Sequence, residues 1–288
     1  MKKILLPVDF PDTPTSVVRQ VAYLARHFRS EVIVLHVVSP LRFPAGLLER
    51  GHRITERDLT ADIVRQAEYD LQQALPHELD GIVVRRLMCR GDPAQEILRT
   101  AQAEEANLVA ISTRGRGALY RLLLGSVAAK VLHKSACPVW SDACGHGFPV
   151  RDFAIRNVLC AVDLTPHSRH TVSRAAELSA DFGAKLTLVH ITAGVDSYGP
   201  GGLHVDAAWK ESLVRFASEG ITQLQQDAGT EAEVIIQCGK VQQLLKRAAE
   251  QSRADILVIG HMPADGHLGQ NGGGYAIIRD SPIPVLSL

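Results

Sequence analysis

The chain carries the same order of motifs twice, and this duplication limits its fold more than any other feature. Ile4-Leu5-Leu6-Pro7-Val8-Asp9 recurs as Val158-Leu159-Cys160-Ala161-Val162-Asp163, an offset of 154 that holds through Ala22/Ala176, Leu24/Leu178, Phe28/Phe182 and His36/His190. Further along the offset becomes 148, in Gly91/Gly239, Gln95/Gln243, Arg99/Arg247, Ala101/Ala249 and Ala106/Ala254. The second copy is therefore shorter somewhere between its second strand and its third helix. A repeat this long is a duplicated domain, not a solenoid module. The copies predict domains over 1–141 and 153–288, joined over 142–152 by a linker that contains glycine and proline.

Within each copy, short apolar runs alternate with helical patterns. In the first, the expected strands are Lys3–Val8, Val32–Val38, Ile82–Met88, Leu108–Ile111 and Pro138–Trp140. These runs are rich in Val, Ile and Leu without polar alternation, as strands buried on both faces require. The expected helices are Thr15–Phe28, Leu59–Leu75, Pro93–Glu105 and Ser126–Lys134. Leu59, Ile63, Ala67, Leu71 and Leu75 define one apolar helix face, as do Trp209, Leu213, Phe216, Gly220 and Leu224 in the second copy. Regular β-α alternation predicts a doubly wound α/β fold, a parallel sheet covered by helices. Ligands of such sheets bind beyond the C-terminal strand ends. Asp9, Ser112 and Gly115 fall at those ends.

Composition excludes several classes. Hydrophobic residues at 46% and charged residues at 22% describe a globular chain rather than a disordered one. Thirty-one basic residues balance 31 acidic ones, so no global field recruits nucleic acid or an anionic membrane. No apolar run approaches the roughly 20 residues of a membrane helix. The opening Met1 to Asp9 stretch is too short in its apolar part for a signal peptide and reads as a buried strand. Five cysteines without framework spacing or a CxxC pair suit a reducing cytoplasm and argue against structural zinc.

The segment from Ser112 to Ser126 carries most of the functional information. An apolar strand, Leu108 to Ile111, opens into a basic, glycine-containing loop and then a helix start, where amides and the helix dipole favour an anion. No GxxxxGK[ST] loop occurs, and Gly115-Arg116-Gly117 is followed by Ala118-Leu119-Tyr120, which breaks a GxGxxG fingerprint at its last glycine. Gly115 and Gly117 allow close backbone approach. Arg114 and Arg116 offset phosphate charge with forked hydrogen bonds. Gly125-Ser126 brings bare amides and a hydroxyl to the helix start. On the bland alternative Gly115 and Gly125 only shape a loop and cap a helix.

Taken together, Pro7-Val8-Asp9, the Leu35-His36-Val37 strand end and a G-x2-G-x9-G-[ST] pattern with Ser112 at its first position resemble the universal stress proteins. The likeness runs through Gly125-Ser126-Val127 to Cys137-Pro138-Val139 and covers both halves. It implies two tandem flavodoxin-like domains of about five parallel strands each. Pairing through Pro138-Val139-Trp140 and Pro284-Val285-Leu286 would make an intramolecular pseudo-dimer, with association of two chains a further option. It also implies ATP, with the adenine and ribose beside Pro7, Val8, Asp9 and Val37. Ser112, Gly115, Gly125, Ser126 and Val127 would then hold the phosphates. The family's first loop glycine is Ser112 here, a poor residue if the turn needs positive φ.

In the second copy Gly260 stands where Ser112 stands, Pro263 replaces Gly115, and His261 to Asp265 contains no arginine. A proline without an N–H and an added carboxylate oppose a triphosphate, so one nucleotide site per chain is expected. Asp9 is the candidate magnesium ligand, whereas Asp163, followed by Thr165-Pro166, reads as a turn residue. His36 and His190 occur in both copies and fit packing or a backbone hydrogen bond better than catalysis. Arg85, Arg86 and Arg90 read as a sheet edge. No activated nucleophile or carboxylate pair accompanies the loop. The expected function is thus a cytoplasmic stress-response protein with ATP as ligand or sensor. The rivals are a magnesium-dependent ATPase using Asp9 and a nucleotide-free interaction scaffold.

Overall fold

A computed structural model describes residues 1–10, 13–39, 56–113, 124–142, 153–193, 207–260 and 273–288. The first copy runs β1 (Lys3–Val8), α1 (Thr15–Phe28), β2 (Glu31–Val38), α2 (Glu56–Gln72), β3 (Val84–Arg90), α3 (Pro93–Ala103), β4 (Leu108–Ser112), α4 (Ser126–Lys134) and β5 (Val139–Asp142). The second runs β6 (Asn157–Ala161), α5 (Ser168–Phe182), β7 (Lys185–Ala193), α6 (Ala207–Ala228), β8 (Glu233–Gly239), α7 (Val241–Gln251), β9 (Ile256–Ile259), α8 (Gly273–Asp280) and β10 (Val285–Ser287). The expected α/β alternation is present in both.

The chain divides into two compact units. One holds Met1–Ser112 with Gly125–Pro138, and the other includes Val139–Leu288. In the first unit the parallel strand order is β3-β2-β1-β4. In the second, β8-β7-β6-β9-β10 is parallel, and β5 joins it antiparallel to β10, with Trp140 opposite Leu286. The strand at the end of the first copy thus pairs with the strand at the end of the second, as the resemblance implied.

Burial explains the strand composition. Val32, Ile33, Val34 and Leu35 are consecutive and all fully buried. Because neighbouring strand residues face opposite ways, both faces of the sheet are covered. In the first unit α1 packs on β1 and β4, and α2 on β2 and β3.

The copies also match in backbone conformation. Helices α1 and α5 end in left-handed residues, Arg29 (φ 53°) and Gly183 (φ 61°). Leu75 and Gly229 follow α2 and α6 at φ 57° and 63° and still keep the offset of 154. Gly91, just after β3, and Gly239, the last residue of β8, take φ 146° and 147°, by which point the offset is 148. The shortening therefore lies between the end of the second helix and the third strand. Each first strand is fastened by one side chain. Asn107 Oδ1 accepts from the amides of Lys2 and Lys3 at 2.7 and 3.0 Å, and Asp255 Oδ2 accepts from Arg156 and Asn157 at 2.7 and 2.8 Å.

Several element expectations need correction. Strand β3 starts at Val84 rather than Ile82, because Ile82 closes a turn by donating to Leu79 O at 3.1 Å. Helix α2 stops at Gln72, since Leu75 takes a left-handed conformation. On α6 the buried residues among those described are Ala217 and Ile221, whereas Trp209 and Phe216 are 58% and 71% exposed. Of the expected face, Trp209 and Phe216 are therefore exposed, while Leu213, Gly220 and Leu224 are half-buried. Arg85, Arg86 and Arg90 lie on the edge strand β3, as expected, and the first two also make ties within the first unit. Arg85 binds Glu31 and Glu104, and Arg86 donates to Leu71 O and Ala74 O at 3.0 and 2.8 Å.

Candidate functional site

Strand order fixes where a ligand would sit. In the first unit the chain moves outward from β1 through β2 to β3, then returns to place β4 on the other side of β1. The reversal between β1 and β4 is a topological switch point, where the loops leaving two neighbouring strands part and open a crevice. Strand β1 ends in Pro7-Val8 and is followed by Asp9; β4 ends in Ser112. Ile4 pairs with Leu108 and Leu5 with Val109, and the same register carried forward sets Val8 level with Ser112. On the other side Val8 stands opposite His36, one residue before Val37. Three separate stretches of sequence thus meet at one end of the sheet.

The fourth stretch is the start of α4. Gly125 occupies the N-cap position at φ −60° and ψ 142°, and no side chain among the described residues caps the helix. The first turn contains no acidic residue, and the last turn contains His133 and Lys134. The basic end complements the helix dipole, while among the described residues no carboxylate or hydroxyl caps the N-terminal amides of Ser126 and Val127. Helix α3 shows the opposite arrangement, with Asp92 accepting from Gln95 N at 3.0 Å and Glu96 in its first turn.

Ser112 carries no backbone penalty. Neither it nor Gly260 is among the described residues with positive φ, so the missing glycine does not strain this turn. Gly260 has a packing reason instead. A Cβ there would lie 3.0 Å from Thr171 Oγ1. The loop residues Arg114, Gly115, Arg116 and Gly117 lie outside the described residues, as do His261 to Asp265. Among the described residues no group of three His, Cys, Asp or Glu is placed to hold a metal ion.

The two strand-end aspartates differ in their surroundings. Asp163 Oδ1 accepts from Thr165 N at 3.1 Å, Thr165 Oγ1 at 2.8 Å and Ser168 Oγ at 2.6 Å, the turn role expected for it. At the offset of 154, Pro11 and Pro14 replace Thr165 and Ser168, and proline has no donor. Around Asp9 the backbone amide instead donates to Thr13 Oγ1 at 2.9 Å. In the second unit Leu164 takes φ 60° beside Asp163 and packs against α6, where a Cβ on Gly220 would lie 3.2 Å from its side chain.

Burial acts to raise the pKa of Asp163, but the donors of Ser168 and Thr165 outweigh it, so the carboxyl lies below its ordinary value. A pKa depressed by folding contributes stability above the unfolded value, about 4, and loses it as pH falls through the folded value. The stability difference between wild type and Asp163→Asn should therefore be largest near neutral pH and shrink below about pH 4. Urea midpoints of both proteins across this range measure it, and a gap that is constant with pH would contradict the assignment.

His36 and His190 also behave as expected from their recurrence in both copies. Each ring Nδ1 bonds a backbone carbonyl, Val8 O at 3.0 Å and Val162 O at 2.7 Å. Sequence reasoning placed neither in the site. The clue it held was the position of His36 one residue before Val37.

Comparison with known proteins identifies the family and the fold. One universal stress protein of Methanocaldococcus jannaschii is 29% identical over 140 residues, 48% of this chain and 79% of its own length. A second from the same organism is 30% identical over 151 residues, covering 48% and 92%. Among solved structures, a universal stress protein from Archaeoglobus fulgidus DSM 4304 matches 99% of this chain and 97% of its own with a TM-score of 0.72. At 22% identity that likeness is one of fold. The sequence model of the Universal stress protein family matches residues 1–141 and again 154–287. With both copies matched, the chain belongs to the universal stress protein family, as a member with two tandem domains.

Proposed function

We propose that the first repeat binds one adenine nucleotide, ATP, at the C-terminal end of its sheet, that the second repeat binds none, and that the protein serves a stress response in the cytoplasm. The carrying observation is the meeting of Pro7-Val8-Asp9, Val37 and Ser112 around the β1–β4 switch point, in a unit whose α4 begins at an uncapped glycine. On this reading adenine and ribose lie beside Pro7, Val8, Asp9 and Val37. The phosphates take the amides of Gly125, Ser126 and Val127, together with Ser112 and the loop residues Arg114, Gly115, Arg116 and Gly117. These residues fit a polyanion, since helix N-terminal amides and arginines complement phosphate charge. Magnesium, if carried with the nucleotide, would meet Asp9.

In the second repeat the aspartate is engaged by its own turn, and the retained Gly260 answers to packing. The nucleotide then acts as a ligand that biases conformation, with turnover slow or absent. Titration calorimetry of the whole chain with Mg-ATP tests the reading. It should give one site per chain, whereas two equal sites or no heat at all would overturn it. A parallel turnover assay separates the ATPase alternative, which requires metal-dependent phosphate release that Asp9→Ala abolishes.

A further inference from the structure

We propose that His36 is a positioning residue for the nucleotide cleft of the first repeat, acting through the carbonyl of Val8; the inference rests on the nucleotide reading above. A carbonyl oxygen only accepts, so the Nδ1 that lies 3.0 Å from Val8 O carries a proton and donates it. Val8 and His36 form the last pair of the β1–β2 ladder. Beyond this pair β1 leaves the sheet toward Asp9, and β2 passes into Val37. The bond therefore ties together the two stretches assigned to adenine and ribose. It does so at the point where the ladder ends and the backbone is next free to move. The ring is held in turn by Phe10, whose centroid lies 5.4 Å away at an interplanar angle of 40°.

A binding group held by such a tie keeps its place to within a fraction of an ångström, and affinity falls when the tie is removed. The second repeat provides the control within the same chain. His190 makes the same bond to Val162 O, at 2.7 Å, in a copy whose loop pattern has changed. If the histidine were only a fold device, replacing it in either copy would have the same consequences. If it also positions the cleft, the two replacements share a stability cost and differ in binding.

The experiment uses the whole chain, with Mg-ATP affinity from calorimetry and melting temperature from circular dichroism. His36→Leu should weaken Mg-ATP by about tenfold, the scale seen when a residue that orients a binding group is lost. His190→Leu should lower the melting temperature to a similar degree and leave affinity unchanged. His36→Asn, whose side-chain amide can donate from near the Nδ1 position, should restore affinity to within about threefold of wild type. The proposal is overturned if folded His36→Leu binds like wild type, or if His36→Asn loses as much affinity as His36→Leu. Absence of binding by the wild-type chain is a different result. It overturns the nucleotide reading itself and this inference with it.

Discussion

Replacing Trp140 with alanine is expected to lower the unfolding free energy of the second unit by about 3–5 kcal/mol. Trp140 is 1% exposed and is among the largest fully buried side chains. It lies on β5, opposite Leu286 of β10, and meets the ring of Phe153 edge-on at 6.1 Å. Truncation removes its apolar contacts and leaves a cavity that a close-packed interior fills only in part. It also weakens a ladder of only three residue pairs, which Ser141 supports through its hydroxyl bond to Val285 O at 3.2 Å. Trp140→Phe keeps a ring and should cost much less. The chain has two tryptophans, and Trp209 is 58% exposed. Native Trp140→Ala should therefore lose the blue-shifted part of the emission and fluoresce from Trp209 alone. Urea unfolding followed by circular dichroism gives the energy, and a loss below about 1 kcal/mol would mean that β5 does not anchor the unit.

Much of this fold was legible because buried parallel strands leave an unmistakable trace. Ile4-Leu5-Leu6 and Val32 to Leu35 have no polar alternation because both sides of the sheet are covered. The repeat made every such reading twice over. Helix faces were less legible. On α6 the large members of the expected face, Trp209 and Phe216, are exposed, while its Gly220 does lie with the buried Ala217 and Ile221. Small residues carry little hydrophobic signal, yet they allow the closest approach, as the contact of Leu164 with Gly220 illustrates. The end of α2 was misplaced for a related reason. Leu75 continues the helical spacing, but its left-handed backbone is invisible in a pattern of apolar residues.

At the candidate site, sequence identified which residues to compare and structure explained their differences. The concern over Ser112 was a concern about φ, which only coordinates answer. The reading of Asp163 as a turn residue came from Thr165-Pro166, and the three hydrogen bonds to its carboxylate supply the reason. His36 was read as a packing or backbone-hydrogen-bonding residue but not connected to Val8. Register is what makes the connection, and register is not written in a single strand.

Substitution of the glycine at the start of α4 tests whether a ligand site or merely a helix begins there. Gly125 has the backbone of an ordinary N-cap, so an L residue fits without strain. Gly125→Asp should therefore raise stability slightly, by about 0.5 kcal/mol, because its carboxylate would accept from the uncapped amides and complement the helix dipole. On the nucleotide reading the same carboxylate takes the phosphates' donors and adds a like charge where they would sit. Mg-ATP affinity should then fall by at least about 100-fold, equivalent to about 2.7 kcal/mol. Gly125→Asn, which caps without charge, should fall between the two. Opposite signs for stability and binding are a strong test, because a variant that damaged the fold would lower both. If Gly125→Asp becomes more stable and still binds like wild type, the glycine serves only to start the helix and the phosphates lie elsewhere. If it becomes less stable, the open amides at α4 are already satisfied within the chain, and the anion site loses its physical basis.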